Sequence, residues 1–397
     1  MVSARWARRS AATVLGAMCV VAAFVPPALA VDLNAVWPDL NLPGFRVTPF
    51  ITQRVEYESN VFQTPNNEQD DVIFRTIPGI LVELPMGRHR LDFGARTEIL
   101  RFADHDNQDT EHYFLFGKLG LDFPGGLKAA LTEDFAYTSD PPGTELTGRI
   151  ESLTNVLSPS VEYAFARRYA IGADYVWTHV DFERAVNQLD RDEHTFGITG
   201  FYKVAPKTDL LLNLAYGVKE FGSASDRDVE RFIGVVGVRG EITPRLTSTF
   251  RIGWESREPD NSRLTSYHGL VAGGDWTFQP TDRTRFTLIT ERFVAESVYL
   301  TNLFYVANFV TFAAEHKVTP KLLATARIFG GTNEYSDKAG RREWRQDEIY
   351  GGGLGVDYQI QRWLALGADY SYTRRFSNFD QFDYEDNVVG AKVTLSF

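Results

Sequence analysis

"KVTLSF", residues 392–397, carries the chain to its last residue on a large apolar side chain, inside a strict two-residue alternation. Ala391, Val393, Leu395 and Phe397 fall on one face, and Gly390, Lys392, Thr394 and Ser396 on the other. A terminal segment ordinarily frays into water, where an apolar row ending in phenylalanine has no favourable place. Apolar outward, polar inward and running to the end, the segment predicts the closing strand of a β-barrel in lipid.

The same plan recurs upstream. In "LTSTFRIGWESRE", Leu246, Ser248, Phe250, Ile252 and Trp254 oppose Thr247, Thr249, Arg251, Gly253 and Glu255. In "TDLLLNLAYGVKEF", Leu210, Leu212, Leu214, Tyr216 and Val218 oppose Asp209, Asn213, Gly217 and Lys219. "WLALGADYSYTRRF" sets Leu364, Leu366, Ala368, Tyr370 and Tyr372 against Gly367, Asp369, Ser371 and Thr373. Such segments exceed the five or six residues usual in soluble domains and match the roughly ten that a tilted strand needs to cross a bilayer. Aromatic residues gather at segment ends, as in Tyr163 with Phe165, Tyr175 with Trp177 and Trp276 with Phe278, where a barrel carries its interfacial girdles.

The connections alternate in length. "FPGG", "ARR", "APKT", "TPR", "QPTDR", "TPK" and "QR" are short, and most place proline, which cannot donate to a ladder, at a strand end. "QTPNNEQDD", "DHDNQDTE", "SDPPGTELTGR", "ERAVNQLDR", "GSASDRD", "EPDNSR", "SDKAGRREWRQ" and "SNFDQFDYED" are long and polar. Short turns on one rim and long loops on the other describe a bacterial outer-membrane barrel. Counting from Arg46 gives about 18 strands, an even number as such barrels require. The fold class predicted is therefore all-β: a transmembrane, antiparallel, up-and-down outer-membrane β-barrel over residues 46–397.

The other end agrees. Residues 1–30 carry Arg5, Arg8 and Arg9, an apolar run from Ala11 to Phe24, and Ala28-Leu29-Ala30, which predicts a Sec signal peptide cleaved after Ala30. Residues 31–45 are a short periplasmic or plug segment. Cys19, the single cysteine, lies inside the leader, so an exported form has no disulfide scaffold and no cysteine-based metal site. Loss of three arginines takes the formal charge from −11 to −14, which speaks against nucleic acid as a partner. Beyond the leader no stretch of 18 apolar residues occurs, so no transmembrane helix is expected.

The first strand ends "VEYESNVF" (Val55–Phe62). This Tyr-x-Ser-Asn-Val-Phe stretch, the repeated Thr-Pro-basic turns and the final aromatic resemble the outer-membrane family called β-barrel porin type 2. The resemblance implies an outer-membrane barrel, many of whose relatives sit beside exopolysaccharide assembly genes, and it carries over no catalytic residue. It also implies that Phe397 is the signal read by the barrel-assembly machinery. Expected partners are that machinery, outer-membrane lipid and lipopolysaccharide and, for an export role, periplasmic polysaccharide-export proteins.

A barrel of about 18 strands leaves an aqueous lumen, and its chemistry lies on the inward rows. Alternation selects Asp92, Arg96, Glu98, Lys118, Asp122, Asp174, Lys219, Arg251, Glu255, Arg327, Asp369 and Lys392 as pore-lining candidates, six basic and six acidic. A mixture of this kind suits saccharides, although opposite charges pairing across neighbouring strands are expected to absorb most of it. Phe74, Phe114 and Phe116 are read as inward-facing, where they would narrow the lumen.

Asp104–His112 ("DHDNQDTEH") departs from a calcium loop at its decisive positions, with Asp109 where glycine belongs and Leu115 where the bidentate glutamate belongs, and "DQFDYED" is no better. "GGGLG" (351–355) lacks the lysine of a phosphate loop and bends a strand or admits a neighbouring side chain. The seven histidines are scattered, and neither Gly-x-Ser-x-Gly nor His-Glu-x-x-His occurs. The reading is non-enzymatic, with no cofactor and no metal. Three functions stay open: passive passage of polar solutes, among them saccharides; the outer-membrane component of exopolysaccharide export; or a structural or surface-binding barrel with a closed lumen.

Overall fold

The two-residue period becomes eighteen strands of 12 to 16 residues in the computed structural model, which describes residues 44–140, 149–183, 187–222, 227–261, 264–297, 304–336 and 345–397. The leader over residues 1–30 and nearly all of the 31–45 segment lie outside the described residues. In chain order the strands are β1 (Arg46–Glu58), β2 (Asp71–Met86), β3 (His89–Phe102), β4 (Thr110–Asp122), β5 (Leu127–Thr138), β6 (Ser152–Ala164), β7 (Tyr169–Phe182), β8 (Arg191–Ala205) and β9 (Thr208–Phe221). They continue as β10 (Val229–Thr243), β11 (Leu246–Pro259), β12 (Tyr267–Thr281), β13 (Thr284–Glu296), β14 (Phe304–Thr319), β15 (Leu322–Tyr335), β16 (Gln346–Gln361), β17 (Leu364–Ser377) and β18 (Tyr384–Ser396). Each pairs antiparallel with the next, and β18 pairs back onto β1 from Phe50↔Ser396 to Glu58↔Val388, so the sheet closes and no edge remains.

Eight tight turns close one rim, and the repeated Thr-x-basic sequence explains how. The hydroxyls of Thr243, Thr281 and Thr319 accept the N–H of Arg245 (3.3 Å), Arg283 (3.3 Å) and Lys321 (3.2 Å), fixing each turn with a local side-chain bond. The turn between β2 and β3 (Gly87 at φ 66°, then Arg88) is one short connection that the sequence pattern does not single out. Nor does it single out the loop after β13, whose residues are not polar enough to announce themselves. Proline inside strands leaves a mark on the ladder. Pairing of β2 with β3 skips the Pro78 position, and that of β6 with β7 skips Pro159.

The outer face is apolar. Ile198, Ile328 and Leu354 are 60–65% exposed, values that no water-soluble β-sheet core would show and that a lipid-facing wall requires. Near the turns an aromatic chain runs round this face through Tyr163, Phe165, Tyr169 and Tyr202, with successive centroids 5.4 to 6.4 Å apart. Tyr113 with Tyr137 (6.0 Å) and Tyr350 with Phe376 (6.0 Å) mark the loop side. These are the two girdles of a membrane barrel. Phe74 belongs to this face, in register with Val55 and 44% exposed, so the expectation that it points inward is corrected. Phe114 and Phe116 do point inward, in register with Arg96 and Gly94.

Candidate functional site

Inside the wall the inward rows are polar, and much of their charge lies flat along the sheet. Register places all twelve candidates on this interior face. Asp92 pairs with Arg90 (2.6 Å), Asp122 with Arg88 (3.4 Å), Arg96 with Glu98 (2.9 Å) and Lys392 with Asp357 (2.9 Å). Lys118 stands opposite Asp92 in the ladder, and Asp174 lies over Gly197. Arg251 lies between Gly237 and Gly273, while Arg327 caps the Phe329 ring at 5.1 Å. They form no single cluster; they are distributed around the barrel and divide between two buried networks and a more open arc.

The first network sits below the loops on β1–β3 and β17. Arg54 donates to both oxygens of Asp369 (2.6 and 2.9 Å) and to Glu56 (2.6 Å). Arg75 joins Glu56, Glu98 (3.2 Å) and Asp140 (3.2 Å), and Arg149 ties Asp140 (2.7 Å) to Glu58 (3.2 Å). Burial alone would push the Asp140 carboxyl, in the loop after β5, upward. The Arg75 and Arg149 guanidiniums outweigh that and hold it well below the usual carboxylate range. The second network lies across the barrel on β8–β11 and β13. Lys219 bonds Glu193 (3.1 Å) and Glu296 (2.8 Å), and Arg257 bonds Glu296 (2.8 Å), Glu255 and the Val294 carbonyl (2.6 Å).

Glycine makes this flat arrangement possible. Arg54 reaches Asp369 by crossing the intervening strand β18 above Gly390, where any Cβ would collide with its guanidinium. Lys392 crosses β17 above Gly367 to reach Asp357 in the same way. The Arg54–Asp369 pair bridges the β1–β18 seam that closes the barrel, and Lys392–Asp357 braces β18 against β16 beside it. Gly390→Ala is therefore expected to lift Arg54 off the wall at a cost of about 1–2 kcal/mol, non-additively with Asp369→Asn in a double-mutant unfolding cycle. Of the "GGGLG" run, Gly351, Gly353 and Gly355 face inward, and the Phe329 ring lies over Gly351.

The motif that carried the family resemblance is structural. Asn60 is fully buried, donates to the carbonyls of Thr64 (2.8 Å) and Glu385 (3.0 Å), and accepts the Thr64 N–H (3.0 Å). Val61 and Phe62 pack with Ile73, Leu100 and Phe102, so the segment pins the first loop to the last strand. The acidic loops prove to be latches too. Asp109, Asp190, Asp228 and Asp383 accept the N–H of Phe102 (2.8 Å), Phe182 (2.8 Å), Phe221 (2.7 Å) and Ser377 (2.6 Å) from the preceding strand. Among the described residues no three His, Cys, Asp or Glu converge as metal ligands. Phe397 continues the outward row of β18, half exposed, its N–H donated to the Pro49 carbonyl at 2.9 Å.

A sequence model of the family described as "Putative beta-barrel porin 2" matches residues 41–397. No curated protein matches the chain by sequence. Among solved structures, OccAB3 of Acinetobacter baumannii is similar at 11% identity and TM-score 0.47, covering 89% of this chain and 99% of its own. OpdQ of Pseudomonas aeruginosa gives 11% and 0.47 over 90% and 99%. A BenF-like porin of Pseudomonas fluorescens Pf-5 gives 9% and 0.48 over 88% and 99%.

Proposed function

The chain belongs to the beta-barrel porin 2 family, and on that footing we propose that it is an outer-membrane channel giving passive passage to polar solutes. The observation that carries this reading is the interior wall. Among the described residues the clustered buried apolar side chains form three small groups, and between them much of the inward rows is ion pairs laid against glycine, threonine and serine. Eighteen strands make a cylinder too wide for such flat-lying side chains to fill. Saccharides suit the surface, since inward rings already lie under cationic groups: Phe114 under Arg96 (4.1 Å) and Phe201 under Arg239 (3.6 Å). Guanidinium and carboxylate groups beside an aromatic face offer a polyol both hydrogen bonds and a stacking surface.

The test is single-channel recording of the refolded mature protein in a planar bilayer, first in salt and then with added oligosaccharide. Discrete, steady openings are expected, with sugar reducing the open current. A heat-modifiable, folded barrel that stays electrically silent would overturn passive passage and favour a closed barrel or an exporter that needs periplasmic partners.

A further inference from the structure

Among the described residues most interior acids are ion-paired on the wall; three at mid-height are not. Asp134 on β5, Asp275 on β12 and Glu291 on β13 each lie near the middle of their strand, exposed on the interior face. None makes a hydrogen bond or ion pair among the described residues. No basic side chain is ion-paired with Asp275 or Glu291 among the described residues, and Asp134 feels Lys118 against the like charge of Glu133. The register makes Asp275 and Glu291 diagonal neighbours, with Asp275 opposite Ile289 and Glu291 opposite Gly273, which puts them roughly 7–8 Å apart. Asp134 belongs to the far side of the barrel, in register with Phe116 and Val156. The basic counterpart at this height is Arg327, exposed over Phe329 with no acid acting on it.

Paired charges lying flat on the wall largely cancel for a solute passing along the axis. Uncompensated ones do not, and low-dielectric walls focus their field into the water between them. We infer that Asp134, Asp275 and Glu291 make this pore cation-selective, so that it admits small cations and amine-bearing solutes ahead of anions; the inference rests on the channel reading above. Phe309, in register with Glu291, adds a ring face where an ammonium group can rest beside the carboxylate. A neutral sugar is indifferent to this field. An anionic polysaccharide is opposed by it.

The experiment is the reversal potential of the refolded protein in a planar bilayer under a tenfold potassium chloride gradient. Near 0.1 M salt, where the screening length is about 10 Å, potassium is expected to be favoured over chloride by about threefold or more. The ratio falls toward unity near 1 M, where the length is about 3 Å. The triple variant Asp134→Asn, Asp275→Asn, Glu291→Gln brings the 0.1 M ratio to near unity while its channels still open, and Arg327→Gln raises it. A wild-type potential of zero or of anion sign overturns the inference. So does a triple variant, shown folded by heat-modifiability, that keeps the wild-type ratio. Silence of the wild type removes the channel and its selectivity together, so the two failures are told apart.

Discussion

Replacing Arg257 with alanine is expected to cost about 3–5 kcal/mol of barrel stability, read as a lowered urea midpoint in lipid vesicles with the slope unchanged. Arg257 and Glu255 are buried, with side chains 5% and 3% exposed. Its guanidinium is also the bridge to Glu296 and to the Val294 carbonyl, at 2.8 and 2.6 Å. Without it Glu296 keeps Lys219, but Glu255 loses its hydrogen-bonded ion pair and keeps only the longer-range pull of Arg231 on the adjacent strand. The penalty is that of the stranded carboxylate rather than the worth of the pair. Removing both charges, as Arg257→Met with Glu255→Gln, should therefore cost less than the single change. Lysine in place of Arg257 rescues only in part, because one ammonium cannot fork to three acceptors. The turn-rim pair Lys207–Glu241 is as short, at 2.5 Å, yet its lysine is 67% exposed, and Lys207→Ala is expected to cost less than about 1 kcal/mol. If both alanine variants melt alike, burial does not set the energetics of this wall.

Arg257 also shows where the sequence stops being legible. Alternation assigns faces because the strand period is two, and it placed all twelve candidate residues on the interior. Phe74 misled because "DVIFRTIPGILVELPM" is apolar on both faces, Ile73, Ile77 and Leu81 within and Phe74, Ile80 and Val82 without, so only the pairing with β1 decides. The two networks were invisible for a different reason. Arg54 and Asp369 are 315 residues apart in the chain, and they meet across a strand rather than on adjacent ones. Pairing between neighbouring strands, which the sequence suggests, could not find them. The trace they leave is the small residue between, Gly390 or Gly367, and it becomes readable only once the register is known. The acidic loops invited a reading as ion sites because four aspartates that latch loop ends look, in one dimension, like free carboxylates.

The outer face gives the second large effect. Leu354 is 65% exposed and lies midway along β16 between Tyr350 and Tyr358, the aromatic residues that mark the two interfaces on this strand. Arginine there would have to enter the hydrocarbon at its depth, where such substitutions in barrels cost about 2–4 kcal/mol. Ser371, on the neighbouring strand and in register with Gly353, faces the interior. Arginine at that position meets water or the carboxylate-bearing wall, and Ser371→Arg is expected to change stability by less than about 1 kcal/mol. Leu354→Arg should therefore lower the urea midpoint in vesicles far more than Ser371→Arg, although both add the same side chain to the same sheet. The contrast does not depend on what the channel carries, only on which side of the wall is lipid. Equal losses, or a larger loss at Ser371, would mean that the apolar face is covered by something other than a bilayer or that the interior is packed rather than wet.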